Sequence, residues 1–309
     1  EERMAGEAVI GQIVEYKNKL IWVSQDGLYL RMYDIDEKKY HTYILPEMIF
    51  RDWRAVSLIF VVEDHLYIVP KYSAFIISFD LLAGKPVCIG LKNDLLANED
   101  IGIYEAIYYA NRLFFIFDKK MTIIEYDMLS RKCEEYHYQC AGDMKSVFTH
   151  KNEIHMLINN QIIMFNMEKG NFISSGEIHC GYPLEGKLIS TENKFFIFPR
   201  INEEVFVIDR TSLECESYRG FPEDFFFYDF EWRWVKFMEH AVGQQYIWLN
   251  NRSANYIFRI NIQNETLECY RPQNYDALYF MIEGIKKHCV VWENDAGDLE
   301  QYLEIVEGV

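Results

Sequence analysis

Histidine and cysteine, the side chains that most often bind metals or attack substrates, are scattered along this chain. No two histidines have the i, i+2 spacing that would place both on one face of a strand. The eight histidines are His41, His65, His137, His150, His155, His179, His240 and His288. His65, His150, His155 and His288 are in or beside predicted hairpin turns, so we expect solvated turn histidines rather than metal ligands. The seven cysteines include no C-x-x-C pair. The sequence therefore predicts no metal site and no cofactor.

Motifs for nucleophilic or acid–base catalysis are also missing. The sequence has no G-x-S-x-G turn and no glycine-rich phosphate loop. The acidic stretch 292–300 lacks the residue order of an EF-hand loop. Glu223, Asp224, Asp229 and Glu231 do not stand out as a catalytic pair among 48 acidic residues.

Two segments combine aromatic and cationic residues, the types that dominate binding hot spots. Residues 45–55 and 219–234 each contain Pro-Glu and, further on, Trp-Arg. Together with shorter turns, they supply eight candidate binding residues: Trp53, Arg54, Lys71, Tyr72, Arg200, Trp232, Arg233 and Arg252. Two interpretations stay open, a binding surface and aromatic packing inside the fold.

The elements that must position these residues follow from an internal repeat. Asn or Asp lies in a tight turn between two apolar strands at positions 18, 64, 111, 152 and 193, with spacings of 46, 47, 41 and 41 residues. Looser copies near 243 and 285 bring the number to seven. Because Asn and Asp tolerate the positive φ of hairpin turns, we expect a β-hairpin at each position.

A second signal follows each of the first six hairpins. A third strand ends in an aromatic or aliphatic residue and then Asp or Asn: Tyr33-Asp34, Phe79-Asp80, Tyr126-Asp127, Phe165-Asn166, Ile208-Asp209 and Ile260-Asn261. A polar turn and a fourth strand come next. We expect Cys133, Cys215 and Cys269 to lie in register near the start of that strand and to pack in the core.

Four strands in about 45 residues are typical of the blades of a β-propeller. The sequence thus predicts an all-β fold, a seven-bladed β-propeller of four-stranded antiparallel blades, as one domain over residues 1–309. The last blade is incomplete or closed by the N-terminus, and six blades are the alternative. No disulfide is expected to join Cys88, Cys133, Cys215 or Cys269, since corresponding positions in different blades are too far apart.

The order of polar hairpin turn, apolar strand and aromatic-Asp before a turn resembles the kelch-type propellers. The kelch Gly-Gly doublet and the Trp-Asp dipeptide of WD40 repeats are absent, so the chain resembles a divergent, bacterial kelch-like propeller in architecture. This resemblance implies a protein-binding role or, less often, an enzyme, and it carries over no functional residue.

The charge and hydrophobicity of the chain argue against some classes of binding partner. The 309 residues include 31 Lys and Arg against 48 Asp and Glu, a formal charge of −17, which argues against nucleic-acid binding. No apolar run approaches the about 18 residues of a membrane span. Unpaired cysteines favour a reducing, cytoplasmic compartment. Secretion stays open, because the first residue is Glu rather than Met.

In a propeller, the turn between the second and third strands and the connection to the next blade emerge on one face. We therefore expect the eight candidate residues around the channel mouth on that face. The favoured function is a non-enzymatic scaffold that recognises a protein or peptide there, with a small-molecule or glycan ligand as a further possibility. Two alternatives are a lyase, cyclase or glycosidase with its site at the channel mouth, and an acidic inhibitor or immunity-type protein that masks a basic partner.

Overall fold

The computed structural model describes residues 12–24, 27–48, 55–72, 74–98, 101–118, 122–138, 142–180, 184–199, 204–226, 237–251 and 256–270. Within these ranges, all regular structure is β-strand. The chain divides into two compact units, Glu1–Cys140 and Ala141–Val309. The predicted single domain over 1–309 stays a prediction.

The first unit contains three antiparallel sheets of four strands, each in chain order. Sheet 1 consists of β1 (Ile13–Tyr16), β2 (Lys19–Val23), β3 (Tyr29–Asp34) and β4 (Lys39–Ile44). Sheet 2 consists of β5 (Val56–Val62), β6 (His65–Pro70), β7 (Phe75–Asp80) and β8 (Lys85–Gly90). Sheet 3 consists of β9 (Glu105–Tyr109), β10 (Arg112–Phe117), β11 (Thr122–Asp127) and β12 (Cys133–His137).

The second unit repeats this arrangement in its described residues. Sheet 4 consists of β13 (Met144–His150), β14 (Glu153–Ile158), β15 (Gln161–Asn166) and β16 (Asn171–Glu177). Sheet 5 consists of β17 (Gly186–Ser190), β18 (Lys194–Pro199), β19 (Phe206–Asp209) and β20 (Cys215–Ser217). Sheet 6 consists of β21 (Phe237–Val242), β22 (Tyr246–Asn251), β23 (Ile257–Asn261) and β24 (Thr266–Tyr270).

The first hairpin of every sheet lies where the repeat predicts it, and the predicted hairpin near 285 is outside the described residues. The expected reason, a positive φ at Asn or Asp, holds in two turns and not in two others. Positive φ occurs at the residue before the Asn or Asp in four turns: Lys17, Glu63, Ala110 and Lys151. Among the Asn and Asp residues of those turns, only Asn18 and Asn111 share it. Two turns therefore have the type I′ pattern of φ, and the other two have positive φ at the first central residue alone.

The Asp or Asn after the third strand caps the next turn in the same way in all six sheets. Its Oδ1 accepts hydrogen bonds from the N–H groups two and three residues later, at 2.6–3.3 Å. The fourth residue after it has a φ of 53–66°. The aromatic-Asp signal is therefore the sequence of a side-chain-capped turn that returns the chain to the outer strand.

The cysteines of the fourth strands follow two registers rather than the one expected. The pairs are Cys133 with Tyr126 and Cys215 with Ile208 in one register, and Cys88 with Ile77 and Cys269 with Phe258 in the other. Cys269 is thus displaced by two residues relative to Cys133 and Cys215. A shift of two keeps a side chain on the same sheet face, and Cys269 packs against the core with Cys215.

Apolar side chains fill the space between neighbouring sheets within each unit. Sheet 2 is covered on both faces, since Leu66 packs toward sheet 1 and Val69 toward sheet 3. The run Leu113–Phe117 of sheet 3 is completely buried, which explains why it is apolar at every position. In the described part of unit 2, sheets 4, 5 and 6 share one core.

Neighbouring sheets in a unit also touch through their first strands. Gln12 Oε1 accepts a 2.8 Å hydrogen bond from the backbone N–H of Ile59, which links sheets 1 and 2. At the corresponding place between sheets 4 and 5, Ser146 Oγ accepts a 3.0 Å bond from the N–H of Leu188. Contact through successive first strands is the way that propeller blades meet around an axis.

Candidate functional site

We call one end of each sheet the loop end: it carries the turn between the second and third strands and the connection to the next sheet. Of the eight candidate residues, Lys71 and Tyr72 are described, and both lie at the loop end of sheet 2, between β6 and β7. The other six lie outside the described residues: Trp53, Arg54, Arg200, Trp232, Arg233 and Arg252. That all eight gather on one face stays a prediction.

The Lys71–Tyr72 turn is held by backbone bonds on two sides. The N–H of Lys71 donates to the carbonyl of Ala55 at 2.8 Å, and the N–H of Ile103 donates to the carbonyl of Lys71 at 2.9 Å. The Lys71 ammonium lies 5.4 Å from the centroid of the Tyr72 ring, a cation–π contact. A Cβ on Gly102 would come within 2.5 Å of that ring, so glycine at 102 permits this close approach.

The first part of the 219–234 connection packs inward in unit 2. The rings of Phe221 and Phe225 stack at 4.4 Å, and both contact Phe258 of β23. Asp224 accepts a 2.6 Å hydrogen bond from the hydroxyl of Tyr256. Phe226, by contrast, is 47% exposed. Phe221 and Phe225 therefore follow the packing interpretation, and Phe226 follows the surface interpretation.

A buried polar cluster joins sheets 4 and 5, and the sequence analysis missed it. His155 of β14 is completely buried, so the expectation of a solvated turn histidine is wrong for this residue. Its Nε2 is 3.0 Å from Glu153 Oε2, and its Nδ1 is 2.7 Å from the hydroxyl of Ser190 at the end of β17. Arg210 donates to the same Glu153 oxygen at 2.6 Å. Two of the partners of His155, Ser190 and Arg210, come from 35 and 55 residues away, which no local pattern in β14 could reveal.

The electrostatics of the cluster keep His155 neutral. Burial, opposed by the Glu153 hydrogen bond and reinforced by the positive charge of Arg210, lowers the pKa of His155 to about 4. The neutral ring then donates from Nε2 to Glu153 and accepts from Ser190 at Nδ1. A serine beside a histidine base is a nucleophile arrangement, but Ser190 is also fully buried, so no substrate reaches its hydroxyl. The cluster is a clamp between two sheets.

Sheet 6 carries a second cationic cluster that the sequence analysis did not single out. The guanidinium of Arg259 lies 4.2–5.3 Å from the ring centroids of Tyr246, Trp248 and Tyr270. Its Nε donates to Glu268 at 2.8 Å. The aromatic box is therefore occupied by the chain's own cation.

The described part of the chain shows neither a metal-binding cluster nor a disulfide. No three His, Cys, Asp or Glu side chains come close enough there to hold a metal ion. The described cysteines, which are all free thiols, are Cys88, Cys133, Cys180, Cys215 and Cys269. Nor does any helix in the described ranges have the length and apolarity needed to cross a membrane.

Comparisons with known proteins give a likeness of fold alone. No protein-family model matches the chain, and no curated protein does. A chain in the S. cerevisiae complex of Dbp5 with Nup159 and Gle1 is similar at 8% identity and a TM-score of 0.53, over 87% of this chain and 77% of that one.

Two further solved structures share the fold. The dihydro-heme d1 dehydrogenase NirN is similar at 10% identity and a TM-score of 0.53, over 83% of this chain and 55% of that one. PorZ, a propeller protein and surface component of the type-IX secretion system of Porphyromonas gingivalis, is similar at 16% identity and a TM-score of 0.50. That match covers 84% of this chain and 32% of PorZ. With the six four-stranded sheets, these likenesses confirm an all-β protein of the β-propeller class.

Proposed function

We propose that this chain is a non-enzymatic scaffold that binds a protein or peptide through the loop end of its sheets. The observation that carries the proposal is the Lys71–Tyr72 turn, where a cation and an aromatic ring are held together on a backbone pinned from both sides. A pinned backbone loses little conformational entropy on binding, so contacts made there contribute more of their energy to affinity.

Lys71 suits an acidic or aromatic ligand, as does the rest of the candidate set. Ala55, whose carbonyl binds the Lys71 N–H, directly follows Trp53 and Arg54 in the chain. This neighbourhood supports, within the proposal, one surface built from the 45–55 segment and the Lys71–Tyr72 turn. The kelch-like architecture, the seven blades and the cytoplasmic location belong to the same proposal.

The proposal is tested with a display library of random peptides selected on the immobilised full chain. The enriched peptides are then titrated against wild type, Lys71→Glu and Lys85→Glu. Lys85 is the matched control, because it is an exposed lysine at the opposite end of the same sheet. We expect enrichment of Asp, Glu and aromatic residues and about tenfold weaker binding for Lys71→Glu alone.

Equal affinity for both variants would refute the proposed surface. Enrichment of strongly basic peptides would instead support the acidic inhibitor, which the charge of −17 favours through electrostatic steering.

A further inference from the structure

Two thiols of unit 2 lie in direct contact. The sulfur atoms of Cys180 and Cys215 are 3.1 Å apart. A parallel bridge between His179 and Glu214 sets this distance, because it brings the next residue of each segment side by side. An S–S bond measures about 2.0 Å, so an approach of about 1 Å separates the pair from a covalent link. The two side chains are already aimed at each other.

The contact joins two sheets at their outer strands. Cys180 lies in the segment that follows β16 of sheet 4, and Cys215 begins β20 of sheet 5. Both side chains pack partly buried against the core of unit 2. In unit 1, the corresponding segment after β8 reaches β12 through a 2.6 Å hydrogen bond from Asn93 to Glu135. The thiol pair thus lies between sheets 4 and 5 where, between sheets 2 and 3, this hydrogen bond connects the two sheets.

We propose that Cys180 and Cys215 are a reversible redox modification site, in which a disulfide of the glutathione class oxidises the pair to an intramolecular disulfide. One protein thiolate attacks a sulfur of the small disulfide and releases one thiolate, which leaves a mixed disulfide. The second protein thiolate then attacks the protein-side sulfur and releases the other. Two protein thiols lose two electrons and two protons, and one small disulfide becomes two thiols.

The surroundings of the pair control how fast it reacts. Burial, together with the contact to Cys180, raises the pKa of Cys215 to about 12. The thiolate is therefore scarce at neutral pH, and oxidation is faster at pH 9 than at pH 7. Once formed, the disulfide closes a long loop and restricts the unfolded chain, so the oxidised protein is the more stable form.

The test uses the full-length protein, incubated with oxidised glutathione at pH 8.5 and then freed of it. We expect a mass loss of about 2 Da, a cross-linked peptide that contains Cys180 and Cys215, and a rise in Tm of about 5 °C or more. Dithiothreitol should reverse all three changes. Peptide mapping identifies the linked residues among the seven cysteines of the sequence.

Three variants keep the test decisive. Cys180→Ser and Cys215→Ser should lose the Tm difference between oxidised and reduced protein, measured within each variant so that any folding defect cancels. Cys133→Ser, which removes the thiol at the corresponding register position of sheet 3, should behave as wild type. The proposal is overturned if mapping finds both thiols free or separately glutathionylated, or if oxidation leaves the Tm unchanged.

Discussion

The buried histidine clamp between sheets 4 and 5 should make the stability of the chain fall as the solution is acidified. His155 is held neutral between Glu153, Ser190 and Arg210, with the ring of His150 at 6.3 Å. Its pKa is about 4 in the folded chain and 6.5 ordinarily. Between pH 6.5 and pH 4, His155 therefore binds a proton in the unfolded chain and stays neutral in the folded chain. The stabilisation is complete above that value and is lost as the pH falls toward 4.

The size of the effect follows from these two values. At pH 5 the unfolded imidazole is almost fully protonated and the folded one almost fully neutral. The pH lies about 1.5 below the ordinary imidazole value, so His155 alone should lower the free energy of unfolding by about 2 kcal/mol between pH 7 and pH 5. Burial also lowers the pKa of His150, which adds a loss of the same sign. Bonds from His155 and Arg210 outweigh burial and keep the pKa of Glu153 low, so this carboxylate titrates below the window.

The assay is urea denaturation of wild type and His155→Gln at pH 7 and pH 5. The variant starts less stable at pH 7, because the clamp is damaged, but its further loss at pH 5 should be smaller by about 2 kcal/mol. His65→Gln, which replaces an exposed histidine at the start of β6, controls for removing an imidazole as such. Equal acid losses in wild type and His155→Gln would refute the reasoning.

Three further predictions concern the turns and the loop end. Asn166→Ala should lower the free energy of unfolding by about 1–2 kcal/mol, because the buried Oδ1 of Asn166 accepts hydrogen bonds from the N–H groups of Glu168 and Lys169. Asn166→Asp keeps an acceptor at this position and should retain most of the wild-type stability. Chemical denaturation measures both variants. Gly84→Ala should lower the free energy of unfolding by about 1 kcal/mol, since φ is +66° and the new methyl would lie 3.1 Å from Tyr43. Arg131→Gly, at the corresponding turn position, should leave that free energy nearly unchanged by the same measurement. Equal effects of the two substitutions would contradict this explanation of the turn. Trp232→Ala combined with Arg233→Ala should abolish capture of a selected peptide and leave the Tm nearly unchanged; a large drop in Tm with binding retained would assign these residues to packing.

The repeat could be predicted from the sequence because each sheet carries its own local signals. The Asp that ends β3, β7 and β11 must accept two specific N–H groups, and this need recurs whatever the surrounding residues are. The hairpins were placed correctly for a similar reason. The expected positive φ is present at Asn18 and Asn111, whereas in the turns at 64 and 152 it falls on the preceding residue, Glu63 or Lys151.

The features that the sequence analysis missed depend on contacts between segments far apart in the chain, and sequence patterns do not record such contacts. His155 and Glu153 are two residues apart and share one face of β14, as in any strand, and the contacts with Ser190 and Arg210 of the next sheet make His155 part of a buried cluster. The Cys180–Cys215 contact likewise arises from a bridge between two sheets. Phe221 and Phe226 lie in one aromatic run, yet one stacks against Phe225 and the other is exposed.

Hydrogen–deuterium exchange of the full chain, with and without a selected peptide ligand, tests the proposed binding surface most directly. The account predicts slower exchange in the loop-end segments 45–55, 70–74 and 219–234 when the peptide is bound, and unchanged exchange in the hairpin turns 63–64, 110–111 and 151–152 at the opposite end. Protection confined to those hairpin turns, or to the outer strands β4, β8 and β12, would contradict it.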